Sequence, residues 1–386
     1  MRRLARALLL GAVLCGPVLP AAADGLQPYQ MIRSLQLLQD GIADGDHADL
    51  PMQTRLLAII DKRLKETAPE DFDDPRNLRA LLVYGASGGN PATLEKVISG
   101  LDLQGLYARL GIGVIHYASG NLPEANKALR DVEPLELGEV LGGPFALLAG
   151  SLAAPENPKR ALELFDQARL LSPGTLIEEA ALRRTIDVCA QLDDAHCAAR
   201  AASHYVRRFL RSPYASQFAE AFIATVITLR DTIDLDLVEE VTLAMSPEQA
   251  RTIYLRIARA SAIEGHERLL AFATGAAERL PGKDGQQPDP RAVLYANAAA
   301  VASPDVRQAL AVLEEIDARR LSESDRRLLL AARKVASQVV SRPERTLLQH
   351  ASSPDEVAAE PEHAAFVAQR MKLLRDVDAL LMEETP

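Results

Sequence analysis

Three cysteines and seven histidines are the residues of this chain best suited to bind a metal or attack a substrate. Their spacing limits what they can do. No His-x3-His pair and no HExxH segment occurs, so no two imidazoles stack on one helical face at zinc-ligand spacing. His196 and His204 lie eight apart and could share a face, but no carboxylate or thiolate completes a ligand set. Asp44, Asp46, His47 and Asp49 lack the full calcium-loop pattern and read as a solvated turn. Gly88-Gly89-Asn90-Pro91 follows a helix and lacks the Lys-Ser/Thr ending of a phosphate-binding loop, so it reads as a turn. There is no G-x-S-x-G elbow. The sequence therefore predicts no catalytic residue, no metal ligand, no cofactor site and no small-molecule substrate.

A glycan-cleaving enzyme built on a helical array remains a distant third reading. Its acid would need a buried carboxylate in a cleft lined with sugar-stacking aromatics. This chain has no Trp and is only 4 % aromatic. It also lacks the Glu-Ser and Gly-Leu-Met-Gln type of segment that such lyases carry.

The cysteines have a structural use instead. Cys15 falls in the leader, with Leu14 before it where a lipoprotein signal wants a small residue. Cys189 and Cys197 sit symmetrically about Leu192-Asp193-Asp194-Ala195, which reads as a hairpin turn. Two arrangements fit: a structural disulfide, favoured in an oxidising compartment, or two buried thiols packed as small apolar residues.

The elements that hold these residues are helical. Ala161, Phe165, Ala168 and Pro173 reproduce the second-helix half of a tetratricopeptide-type hairpin. The alanines admit the partner helix, Phe165 fills the gap, and Pro173 stops the helix. Ala125 and Leu129 echo this upstream. Ala201, Tyr205 and Pro213 echo it downstream, with Arg208 in place of the second small residue. The matches are degenerate. The predicted fold is all-α, an irregular array of antiparallel helical hairpins forming a tetratricopeptide-like solenoid.

The expected organisation starts with a signal peptide at 1–23. Arg2, Arg3 and Arg6 precede an apolar core from Ala7 to Leu14, and cleavage is expected after Ala23. Export to the periplasm follows. An N-terminal helical region covers 24–104, tetratricopeptide-like hairpins 105–230, further hairpins 231–340, a polar tether 341–362 and an amphipathic helix 363–386. The first helix starts at Pro28 and is expected to stop at Asp40-Gly41. Gly142-Gly143-Pro144 is expected to break the apolar run Val140–Ala154, leaving no membrane span in the mature chain. Pro281–Pro288 reads as a flexible loop. Helices are expected at 290–302, 304–318 and 323–340. The last segment carries Phe366, Val367, Met371, Leu374, Val377 and Leu381 on one stripe, which either docks on the array or engages a partner.

Charge narrows the partners. The net charge is −10, and more negative without the leader arginines, which argues against nucleic acid. Arg183, Arg184, Arg207, Arg208 and Arg211 read either as solvated helix faces or as a surface for an acidic partner.

Several segments taken in order resemble the MotC family of periplasmic motility proteins. They are Pro28-Tyr29-Gln30-Met31-Ile32-Arg33-Ser34-Leu35-Gln36, Ile60-Asp61-Lys62-Arg63-Leu64, Asp74-Pro75-Arg76-Asn77 and Ser87–Glu95. Pro173-Gly174-Thr175, Glu178–Arg184, and Arg207–Leu210 through Ser212–Phe218 continue the series, which covers roughly 25–225. The resemblance implies a non-enzymatic role in flagellar rotation and chemotaxis, with the periplasmic domain of the stator component MotB as partner. A generic repeat adaptor for another envelope assembly, such as a pilus or secretion complex, is the alternative. The Gly88–Leu94 turn and the Ser212–Phe218 segment are the candidate partner surface, with Gly89, Asn90, Arg207, Arg208, Tyr214 and Gln217 as its residues. Inter-helix packing is the competing reading of both.

Overall fold

Proline opens the helices that begin at Pro28, Pro75, Pro91, Pro158, Pro247 and Pro290. At the first helical position its missing N–H has no partner to lose and its fixed φ suits the turn. Side chains of Asp74, Asn90, Asn157, Thr175, Asp194, Asp234, Ser246, Asp289 and Ser322 accept hydrogen bonds from the first turns of the helices they precede. Each such cap is worth about 1 kcal/mol.

The computed structural model describes residues 26–280 and 289–341. The leader with its cleavage after Ala23, the loop 281–288, the tether beyond residue 341 and the terminal amphipathic segment lie outside the described residues. Among the described residues there are seventeen α-helices, four short 3-10 turns and no strand, so the protein is all-α. The first half contains α1 (Pro28–Asp44), α2 (Asp49–Glu66), α3 (Pro75–Ala86), α4 (Pro91–Ser99), α5 (Gly105–Ala118), α6 (Leu122–Leu129), α7 (Gly138–Ala153) and α8 (Pro158–Leu171). The second contains α9 (Leu176–Gln191), α10 (Ala195–Phe209), α11 (Ala215–Thr228), α12 (Leu235–Leu243), α13 (Pro247–Glu264), α14 (Glu267–Arg279), α15 (Pro290–Ala299), α16 (Val306–Glu315) and α17 (Glu323–Val340).

Two expected helix stops are overturned. α1 passes through Gly41 to Asp44, because Ile42 and Ala43 are fully buried and the chain reverses only at Gly45, where φ is 105°. α7 passes through Gly142-Gly143-Pro144 without a break. These residues are small because neighbours press on them: a Cβ on Gly142 would lie 2.8 Å from Leu171 Cδ1 and 2.9 Å from the Pro134 carbonyl. Pro134–Ala153 consequently reaches the length and apolarity of a membrane span, but half of it is buried within the protein. α7 packs on α8, α9, α6 and α3, as a core helix does. The expected helices 290–302 and 304–318 are shorter than the sequence suggests, since a 3-10 turn takes Ala300–Ala302 and α16 starts at Val306.

Among the described residues two large apolar clusters form the core. One runs from Met31 to Leu152, and the other from Leu182 to Ala332 with Ala43 of α1 joined to it. Between them Phe165, fully buried, packs with Ala146, Ala161, Ala168 and Ala181. A Cβ on Gly150 of α7 would come within 2.6 Å of the Phe165 ring. The turn after α1 closes onto the turn after α10: His47 Nε2 lies 3.1 Å from the Arg211 carbonyl oxygen, and Gly45 lies against Arg211.

Candidate functional site

The corner made by α9, α10 and the start of α11 gathers four of the six candidate surface residues. At its base is Glu179, which has no exposed surface. A buried carboxylate is costly unless it is paired and hydrogen-bonded, and this one is both. Arg183, one helical turn on, contacts it through Nε at 3.2 Å and Nη2 at 3.1 Å. The Tyr205 hydroxyl donates to Glu179 Oε1 at 2.7 Å. Burial first, then the Glu179 charge, raises the Tyr205 pKa, so the phenol keeps its proton and remains a donor.

Arg183 also turns outward. Its Nη1 donates to Gln217 Oε1 at 2.8 Å, and its guanidinium lies 5.4 Å from the centre of the Tyr214 ring. Gln217 is exposed and Tyr214 half-buried. Below them Tyr205 stacks on Phe218 with centroids 4.1 Å apart, and Phe218 stacks on Phe222 at 5.9 Å. The exposed Gln217 and the Tyr214 ring thus stand on a rigid aromatic and ionic base.

Arg207 and Arg208 are exposed at the end of α10. Arg208 Nη1 is 3.4 Å from Glu178 Oε2, and that carboxylate also accepts from the Gly174 amide at 2.6 Å. Gly174 has φ 81°, and a Cβ there would lie 2.6 Å from Arg208 Nη2, so Arg208 is partly a packing residue of the α8–α9 turn. His204, one turn back, accepts from Arg169 Nη2 at 2.6 Å through Nδ1. Burial, then Arg169 and Arg207, lowers its pKa.

Gly89 and Asn90 lie elsewhere, on the first core cluster, and the structure does not join them to this corner. Gly89 is buried rather than displayed: a Cβ there would sit 2.5 Å from the Tyr84 ring and 2.7 Å from the Tyr84 carbonyl. Asn90 is exposed and caps α4, accepting from the Ala92 amide at 3.0 Å. The Asn90 amide donates to the Tyr84 hydroxyl, which donates to Asp61 at 3.1 Å; Thr93 donates to the same carboxylate. Burial foremost pushes the Tyr84 pKa up to about 12. Burial works against ionisation of Asp61, but hydrogen bonds from Lys65, Thr93 and Tyr84 hold its pKa below the usual value. The turn borders an open recess of about 640 Å³ lined also by Tyr117, Leu122 and Ser151.

Cys189 and Cys197 are joined as a disulfide across the α9–α10 turn, with Cα atoms 5.7 Å apart. Asp193 at the turn has φ 56°, and Asp194 caps α10 by accepting from the Cys197 amide. In the Asp44–Asp49 loop, Asp46 accepts from the Ala48 amide, and no group of three or more His, Cys, Asp or Glu among the described residues converges to hold a metal.

Sequence reasoning alone misses the roles of Glu179 and Arg183. The available signal is an acid on an apolar face: Glu179, Leu182, Ile186 and Cys189 share one side of α9. A carboxylate at such a place needs a partner from the facing helix.

The family model described as "Chemotaxis protein MotC" matches residues 1–386. A protein of Rhizobium meliloti (strain 1021) named "Chemotaxis protein MotC" is 39 % identical over 327 residues, covering 84 % of this chain and 75 % of its own length. No solved structure matches. With a family model spanning its whole length and a relative of this identity, the chain belongs to the chemotaxis protein MotC family.

Proposed function

We propose that this protein is an exported, non-enzymatic motility factor that binds the periplasmic domain of the stator component MotB. The observation that carries the reading is membership of the MotC family over the whole chain. The N-terminal arginines, apolar core and Ala21-Ala22-Ala23 support export, and the Cys189–Cys197 bridge fits an oxidising compartment. The α9–α11 corner supports a binding role, because exposed Gln217 and the half-buried Tyr214 ring stand on a base fixed by Glu179, Arg183 and Tyr205. Preorganised groups lose little entropy on association. Binding there would favour an anchoring-competent form of the partner in proportion to the difference in affinity for its two forms.

Calorimetric titration of residues 24–386 with the periplasmic region of MotB from the same organism tests this. One-site binding at micromolar affinity or tighter is expected. No heat and no co-elution, with both proteins folded, would leave the envelope adaptor as the better reading. A deletion strain separates the two in the cell: paralysed but assembled flagella are expected here, whereas an adaptor would cost the cell another envelope structure.

A further inference from the structure

α17 is the last described helix, and among the described residues nothing covers one flank of it. Its buried stripe, Asp325, Leu329, Ala332 and Ala336, faces α15 and α16. Beside it Leu328, Ala331, Val335 and Val339 recur at helical spacing, and the apolar surface continues outward. Val335 is 44 % exposed and Val339 57 %. Earlier helices of this half are covered on such flanks by the next elements in the chain, as α13 is by α14 and α15. The terminal unit of a helical array needs a cap for the same reason.

The chain beyond α17 carries a segment that matches the gap. Residues 363–382 place Phe366, Met371, Leu374, Val377 and Leu381 on one stripe, and the segment is close to α17 in length, 18 residues. The intervening 341–362 is longer than the roughly 2–8 residues that join antiparallel helices in bundles, so reversal is unstrained.

We propose that residues 363–382 dock as a helix on α17 and cover the flank of Ala331, Val335 and Val339, capping that end of the helical layers.

Hydrogen–deuterium exchange of residues 24–386 tests this with reciprocal variants. One carries Leu374→Asp and Val377→Asp in the segment, the other Val335→Asp and Val339→Asp on the flank. In the unmodified chain, peptides from 363–382 should exchange at least tenfold more slowly than a free peptide. Each variant should remove that protection, and the segment variant should also speed exchange over 328–340. Peptides covering 176–230 should be unchanged in both, which reports an intact fold. Exchange of 363–382 at the free-peptide rate in the unmodified chain overturns the proposal. So does protection that survives the flank variant, because the segment then docks elsewhere. Protection lost on dilution, together with a dimer seen by light scattering, also overturns it and places the segment on a second copy.

Discussion

The Tyr205 hydroxyl on α10 donates a 2.7 Å hydrogen bond to Glu179 on α9, a carboxylate with no exposed surface. Tyr295 repeats the relationship near the end of the described residues, donating at 2.8 Å to buried Asp325 across α15 and α17. In both a tyrosine, kept protonated by burial, satisfies an acid within the helical layer. The acid cannot be rehydrated locally, so losing the donor costs more than an average hydrogen bond.

Tyr205→Phe should therefore destabilise the protein by about 1–3 kcal/mol, the cost of leaving a buried acceptor short of a partner. Chemical unfolding followed by circular dichroism measures it. A change below about 0.5 kcal/mol would mean that Arg183 alone satisfies Glu179.

Gly88 and Gly89 should respond differently to alanine. Gly89→Ala drives a methyl group into the Tyr84 ring and carbonyl, and such overpacking costs about 1–3 kcal/mol. A Cβ on Gly88 meets nothing within 4 Å, so its cost is only the left-handed backbone at φ 86°, about 1–2 kcal/mol. Melting curves of the two variants measure these costs, and a Gly89→Ala variant as stable as the unmodified protein would contradict the packing argument.

Removing the disulfide with Cys189→Ala and Cys197→Ala together should cost about 2.5 kcal/mol in the chain-entropy model for so short a loop. The variant should keep its helical spectrum and unfold at lower temperature. Reduction of the unmodified protein should lower its melting temperature similarly, and no effect of either treatment would show that the bridge adds nothing.

His204 should make the stability of the protein depend on pH. Burial, Arg169, Arg207 and Arg200 disfavour its charged form, and Glu178 opposes them. The folded chain thus binds this proton less readily than the unfolded chain. Its contribution is complete above the ordinary histidine pKa of ~6.5 and fades as pH falls through that value toward the folded one. His204→Gln keeps an acceptor for Arg169 and removes the titration. Between pH 7 and 5 the melting temperature of the unmodified protein should fall further than that of the variant. Parallel curves would refute the assignment.

The proposed binding surface can be probed without disturbing the core. Arg207→Glu and Gln217→Ala change exposed side chains and should each weaken MotB binding by about 5–30-fold, the range of a substantial interface residue. Asn90→Ala is the contrast: it removes a cap, costing about 1 kcal/mol of stability, and should leave affinity unchanged. Titration calorimetry with the three variants separates the two turns.

Much of the fold is legible in residues that act locally. Pro247 with Ser246 before it, and Ser322 before α17, mark helix starts by chemistry that needs no knowledge of the rest of the chain. Glycine misleads because it need not stop a helix, and it reverses the chain sharply where it adopts a positive φ. Gly45 does so; Gly41, Gly142 and Gly143 instead serve close approach by other elements. The Glu179 network is hidden for a related reason. It joins residues 26 apart in sequence, and only the register of α9 against α10 brings them together. The corner is identifiable as a segment, but which of its residues display and which support is not. Exposure depends on the layer beneath.

The seating of the first turn against Arg211 bears on how the chain reaches this form. His47 and Arg211 are 164 positions apart. α1 and α2 can pair locally before the surface that receives their turn has formed. Local hairpins such as α7–α8 can form in the same way, whereas this closure must wait for α10 and then overcome the entropy of a long loop. Closure of this N-terminal turn is therefore slower than formation of a local hairpin, and substitutions at Gly45 should show themselves in refolding rate.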